Sequence, residues 1–308
     1  MTTAAVAQAF RVRVNCSVDD LGFAMTDQPP ADSSFLSAER VQTADGRQYH
    51  IDLAPGDVAP SILLVGDPAR AEKVAARFER IDLHRAHREY ATFTGTFRDL
   101  PVTVIGTGMG AASTEIAVIE LAQCVDHPVM IRCGSSGGLQ PSLALGDLVV
   151  TQAAYRLEES SLAFVGAGYP AFAHHEVVLA LVTGAERSDS PYQLGITATA
   201  SGFYAAQGRD ILGFPPRDRE IVDRLVTEGV MNLEMESSCL LTLASLRGFR
   251  AGAVCAVYAT RHDNRFIGHE ARRTAENRCI DTGLQALVTL RQMDEARGNR
   301  RYWQPSSL

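Results

Sequence analysis

Between residues 61 and 138 one device recurs: a short apolar run that stops at a glycine-rich turn. Ser61 to Val65 leads through Gly66-Asp67-Pro68 into a charged helical stretch from Ala69 to Phe78. Val102 to Ile105 leads through Gly106-Thr107-Gly108-Met109-Gly110 into a helix-like stretch from Ser113 to Cys124. Val129 to Cys133 leads into a turn expected at Gly134-Ser135-Ser136-Gly137-Gly138. Runs this short, bounded by glycine, suit buried strands better than helices. Pro68 fits the first position of a helix, where its missing N–H costs nothing. Further strands are expected over Leu148 to Thr151, Leu194 to Ala198 and Ala251 to Tyr258, with helices from Glu236 to Arg247 and over 270–293. Strands alternating with helices predict an α/β sandwich with a largely parallel central sheet. No linker breaks the pattern, so a single domain is expected over residues 49–308, after a polar N-terminal extension, 1–48, that contains Pro29, Pro30, Ser33 and Ser34. Ligands of such sheets bind beyond the carboxyl ends of the strands, which directs attention to the turns.

A net charge of −7 argues against general nucleic-acid binding, which needs clustered Lys and Arg. No apolar stretch is long enough for a membrane helix, and the N-terminus lacks a secretory pattern. Arg11 and Arg13 are followed closely by Asp19 and Asp20, a poor import signal, and the final Ser-Ser-Leu lacks the basic middle residue of a peroxisomal address. Cys16, Cys124, Cys133, Cys239, Cys255 and Cys279 form no CxxC pair, so they read as reduced thiols of a cytoplasmic protein.

Several segments could carry chemistry. In Gly66-Asp67-Pro68-Ala69-Arg70 the glycine admits an anion to the backbone, the helix start offers free N–H groups, and Arg70 adds a planar donor fork. An ordinary turn with a surface arginine would look the same. Arg132 lies inside an apolar run, where an unpaired charge is costly, so it needs a carboxylate or a phosphate. Arg88 and Glu89 read alone as surface charges. Gly106 to Gly110 lacks the third spaced glycine and later acid of a dinucleotide site. In Phe203-Tyr204-Ala205-Ala206-Gln207-Gly208-Arg209 an aromatic, an amide and a guanidinium could stack on a planar base and read its edge, or could form a polar loop around one core phenylalanine. Glu234-Met235-Glu236 stands where a helix begins; glutamates bind ribose diols, yet one of them could serve only the helix N-terminus. The eight histidines show no metal spacing, and no GxSxG elbow or motif cysteine marks a nucleophile.

Taken in order, GDPAR at 66–70, REY at 88–90, TGMGAAST at 107–114, RCGSSGGLQP at 132–141, GDLVVT at 146–151, FYAAQGR at 203–209 and GVMNLEMESSCLL at 229–241 resemble the nucleoside phosphorylase family. The resemblance runs from about His50 to Arg261, and FYxxQxR is the segment that separates its uridine-cleaving members from purine-specific ones. It implies a three-layer α/β sandwich with a mixed, largely parallel sheet. It also implies reversible phosphorolysis of uridine, and deoxyuridine or thymidine beside it, to uracil and ribose 1-phosphate in pyrimidine salvage.

The resemblance assigns roles by position. Gly66, Arg70, Arg132 and Ser135 would hold phosphate, with Arg88 reaching it from the neighbouring subunit. His50 would cross to the partner's ribose. Met235 and Glu236 would bind ribose with Glu234 and Met109 beside them; Phe203, Gln207 and Arg209 would bind uracil; Tyr258, Ala259 and Arg261 would close the base pocket. Catalysis would fall to Arg209, Gln207, Arg132 and Glu236, with phosphate as nucleophile and no cofactor. The crossing residues imply a homodimer at minimum. Glu89, Met109 and Ser113 match positions that hold a structural cation at the interface of some relatives. Ser135 stands where threonine is common, and Tyr258-Ala259 replaces an aliphatic pair. The rivals are a purine nucleoside phosphorylase or nucleosidase of the same fold, and a non-catalytic nucleoside-binding subunit.

Overall fold

Both faces of the run Ser61–Val65 are buried. Ile62 and Leu64 join one apolar cluster and Leu63 and Val65 another, so the strand has helices on each side of it. The computed structural model describes residues 35–305. They run β1 (Ser61–Val65), α1 (Pro68–Ala75), β2 (Arg80–His87), β3 (Tyr90–Phe97), β4 (Leu100–Gly106), α2 (Ala111–Cys124), β5 (Val129–Gly138) and β6 (Leu148–Leu157). Then follow β7 (Ala171–Phe172), α3 (His175–Arg187), β8 (Tyr192–Ala200), α4 (Ile221–Thr227), β9 (Asn232–Glu234), α5 (Ser237–Leu246), β10 (Arg250–Thr260), β11 (Arg265–Phe266) and α6 (His269–Arg297). One apolar layer packs α1, α3 and α6 on the sheet; the other packs α2 and α5. The result is the three-layer α/β sandwich.

The sheet is mixed. Strand β1 lies parallel between β4 and β5; β5 runs parallel to β10, β6 to β8, and β8 to β9. Antiparallel pairing adds the meander β2–β3–β4 and joins β5 to β9 and β6 to β10. Hence β5, β9, β8, β6 and β10 pair in a closed circuit. That closure gathers the ends of β5, β8, β9 and β10 at one place, which an open sheet would spread out.

One expectation changes. Gly134 to Gly138 is strand, not turn: it continues β5 and pairs with β10 from Cys255 to Thr260 across a bulge. The glycines are there because neighbours crowd the strand. A Cβ on Gly134 would lie 2.9 Å from Cys255 Sγ, and one on Gly138 3.0 Å from Val257 Cγ1. Residues from Phe35 onward group into one compact unit. Gln42 and Gln48 bridge, the buried Gln48 side chain bonds Gln42 and the Gly46 carbonyl, and Arg47 faces Asp52 and Asp57. The rest of the expected extension, residues 1–34, lies outside the described residues, as do Cys16 and the Ser-Ser-Leu end. The other five cysteines are buried free thiols. Among the described residues no helix is long and apolar enough to cross a membrane.

Candidate active site

Pro68 opens α1 as expected, with Asp67 as its cap, and the first turn carries Arg70 beneath the sheet. Arg70 is buried; its Nε donates to Glu276 at 2.8 Å and its Nη1 to the Cys133 carbonyl at 3.1 Å. Lys73 bonds the other oxygen of Glu276 at 2.6 Å. Burial opposes the Arg70 charge, but Glu276 outweighs it and raises the pKa above the ordinary arginine value. Sequence reasoning missed Glu276. A signal was present: a glutamate on the face of α6 that otherwise buries Ala275, Cys279 and Ile280.

The partner that Arg132 requires is a pair of carboxylates. Its Nε donates to Glu234 at 2.9 Å and its Nη2 meets Glu236 at 2.6 Å, with all three side chains buried. Burial disfavours the guanidinium charge, yet Glu236 and Glu234 hold its pKa above the usual range. Burial pushes the Glu236 carboxyl up; Arg132 pulls it down, and Glu234 pushes it up again. Glu236 also accepts from the Gly110 N–H at 2.6 Å, which ties the end of β9 to the start of α2. Gly66 looks into the same place: a Cβ there would sit 3.3 Å from the Gly108 carbonyl, 3.9 Å from Arg132 Nη1 and 4.0 Å from Glu236 Oε1. Met235 borders it, its Cε 3.9 Å from the Cβ position of Gly110. Ser135 follows on β5, and its neighbour Ser136 is held by Asn232 at 2.9 Å. Gly66, Arg132, Glu234, Met235 and Glu236 therefore lie together.

The stretch after β8 forms a second group. Arg209 lies 3.8 Å over the Phe203 ring centroid, donates to the Phe203 carbonyl, and donates to Gln207 Oε1 at 2.6 Å. Arg261, beyond β10, donates to the Gln207 carbonyl at 3.0 Å. Gln207 is buried while Phe203 is half-exposed. Phe203, Gln207, Arg209 and Arg261 thus form one connected unit. Burial, helped by the Arg261 charge, lowers the Arg209 pKa to about 10. Tyr258 packs toward the α6 layer instead; burial raises its pKa to about 12, with Arg70 opposing and Glu276 assisting.

His50 and Arg88 form a third group. Arg88 stacks 4.7 Å over the Tyr49 ring, Tyr49 lies edge-on to His50, and His50 Nδ1 meets Glu120 at 2.6 Å. Among the described residues neither bonds to the Arg132 or Gln207 groups. Glu120, also missed from the sequence, accepts the His50 and Ile51 N–H groups and so fixes this loop on α2. Glu89 and Ser113 flank Gly108, while Met109 beside it is 81% exposed.

The profile of the phosphorylase superfamily matches residues 60–289. A uridine phosphorylase of Thermococcus kodakarensis is 43% identical over 275 residues, covering 88% of this chain and 97% of that protein. A uridine phosphorylase of Escherichia coli is 34% identical over 79% of this chain and 97% of its own length. Among solved structures, a Trypanosoma brucei nucleoside phosphorylase described as showing uridine phosphorylase activity superposes with a TM-score of 0.75 at 27% identity, over 80% of this chain and 99% of that one.

Proposed function

The chain belongs to the phosphorylase superfamily, and from that premise we propose that it cleaves uridine with inorganic phosphate, giving uracil and ribose 1-phosphate. Relatives 43% and 34% identical over nearly their whole length bear that activity in their names. The observation that carries the reading is the bond from Arg209 to Gln207 Oε1. It orients the amide so that Nε2 donates while Oε1 keeps a lone pair, which complements the acceptor–donor edge of uracil.

The nucleophile is phosphate, so the protein's task is positioning and charge stabilisation. Arg132 and Arg70 with Gly66 and Ser135 hold the phosphate below the sugar. Glu236 accepts from the ribose hydroxyls and Met235 packs on the ring. The C1′–N1 bond breaks as a phosphate oxygen bonds C1′; the electron pair leaves on uracil, where Arg209 and Gln207 stabilise it until a proton is taken up. The bound phosphate dianion stabilises the cationic sugar. No cofactor is needed.

The finer reading is a homodimer at minimum, in the cytoplasm, with shared sites. Its support is the place of His50 and Arg88: they lie together on Tyr49, apart from the groups that bind phosphate and base. The oxygens of Glu89 and Ser113 suit a hard structural cation at the interface, whereas the Met109 sulfur does not. A test is uracil release from uridine with and without phosphate, with thymidine and inosine alongside. Phosphate-dependent release from uridine, with little from inosine, is expected; release without phosphate or a preference for inosine overturns the reading.

A further inference from the structure

Glu234 is enclosed by donors of its own chain. Its Oε1 accepts from Thr199 Oγ1 at 2.5 Å and from the Ser237 N–H at 3.0 Å. Its Oε2 accepts from Arg132 Nε and from the N–H groups of Glu236 and Ser237, each at 2.9 Å. The side chain is 0% exposed. A carboxylate has about four lone-pair positions, and these donors fill them. No acceptor is left for a ribose diol.

Thr199 closes this arrangement. Parallel pairing of β8 with β9 sets Thr199 directly beside Glu234. Its hydroxyl donates a hydrogen bond to Glu234 and accepts one from the Ser238 N–H at 2.9 Å, in the first turn of α5. Ser238 is anchored in turn by its own hydroxyl on the buried Glu158 at 2.7 Å. Thr199 is also four residues before Phe203, so the strand that launches the base-reading segment is tied to the carboxylate that orients Arg132.

We propose that Thr199 is a positioning residue, which through Glu234 sets the Arg132 guanidinium for phosphate, and that Glu234 serves as this internal clamp rather than as a ribose ligand. The proposal rests on the assignment of phosphate to Arg132. A charged hydrogen bond inside a buried network restrains orientation more than it adds bulk stability, because both partners lose rotameric freedom together. With the hydroxyl gone, Glu234 keeps the Glu236 and Ser237 N–H groups but loses one hold, so its bond to Arg132 Nε is less firmly oriented while Nη2 stays on Glu236.

The experiment compares Thr199→Val, which keeps the shape, with Thr199→Ser, which keeps the hydroxyl. Steady-state rates are taken with phosphate and uridine varied separately, and inorganic phosphate binding is measured by titration calorimetry on the same proteins. For Thr199→Val we expect phosphate affinity to weaken about tenfold and kcat to fall by a similar factor, the scale of one hydrogen bond to a charged group. The uridine KM should stay within about twofold and Thr199→Ser within about threefold of the unmodified protein, since one neutral contact is worth little more. Unchanged phosphate binding in Thr199→Val overturns the proposal. So does an equal loss in both variants, which would assign the effect to packing. Because calorimetry reads phosphate directly, a protein inactive on uridine would sink the uridine assignment while the clamp is still judged.

Discussion

Gly134 and the Arg132 guanidinium compete for one space: a Cβ on Gly134 would lie 2.5 Å from Arg132 Nη2 and 2.7 Å from its Cζ. The side chain of Arg132 folds along its own strand to reach Glu236, and only a glycine two residues on leaves room. Gly134→Ala therefore displaces the Arg132 guanidinium, which the proposed reading gives to phosphate. Overpacking of about 1–3 kcal/mol should appear as a lower melting temperature. Phosphate KM should rise at least tenfold, with the uridine KM less affected. Normal phosphate kinetics would show that Arg132 does not need this geometry.

Arg132→Met leaves Glu234 and Glu236 buried together without a cation. Breaking a buried pair in this way costs about 3–5 kcal/mol. The double change Arg132→Met with Glu236→Gln should recover part of that loss in denaturant unfolding, yet stay inactive if Arg132 holds phosphate as proposed. A double variant no more stable than the single one would contradict the coupling.

On the proposed reading, Arg209→Ala removes the charge that meets the leaving base, and it sits in a partly exposed segment outside the main core. Turnover should drop on the order of 100-fold. Circular dichroism and phosphate binding should be unchanged. A folded variant with near-normal rates sinks the role assigned to Arg209.

The Glu236 carboxyl is raised above 4.5, first by burial, with Arg132 opposing and Glu234 adding to the rise. If Glu236 accepts from ribose in its ionised form, as proposed, turnover should decline as pH falls. Stability runs the other way. The native state holds this proton more tightly than the unfolded chain does. The contribution is therefore fully present below the unfolded value and is lost as pH rises through the folded one. Unfolding midpoints of the protein and of Glu236→Gln, taken across that window, should differ in slope. Parallel pH dependences would show that Glu236 titrates elsewhere.

If His50 and Arg88 work in the partner's site, inactive chains should complement each other. Arg88→Ala and Arg209→Ala proteins, unfolded together and refolded as a mixture, give mixed dimers with one intact site of two. Roughly a quarter of the unmodified activity should return for an even mixture. Activity no higher than the sum of the separate variants would place Arg88 in its own subunit's site or outside any.

The chain's local pattern was enough to locate β1, β4, β10, α2, α5 and α6 closely, because an apolar run that meets glycine, or an apolar stripe at helical spacing, is decided within a few residues. It also determined that Arg132 must have an anionic partner, since a charge among Met130, Ile131 and Cys133 cannot stand alone. Which anion was beyond its reach. Glu234 is 102 residues away, and Glu276 lies 206 residues from Arg70. Such pairings follow from the closed circuit of β5, β9, β8, β6 and β10, which no local signal encodes. The same closure turned Gly134 to Gly138 from an expected turn into strand, because its backbone groups found partners on β10 while its missing side chains made room for Arg132, Cys255 and Val257. Residue types were thus chosen by chemistry visible along the chain; their partners were chosen by tertiary packing, which alone brings distant charges within hydrogen-bond range and excludes the water that would otherwise satisfy them.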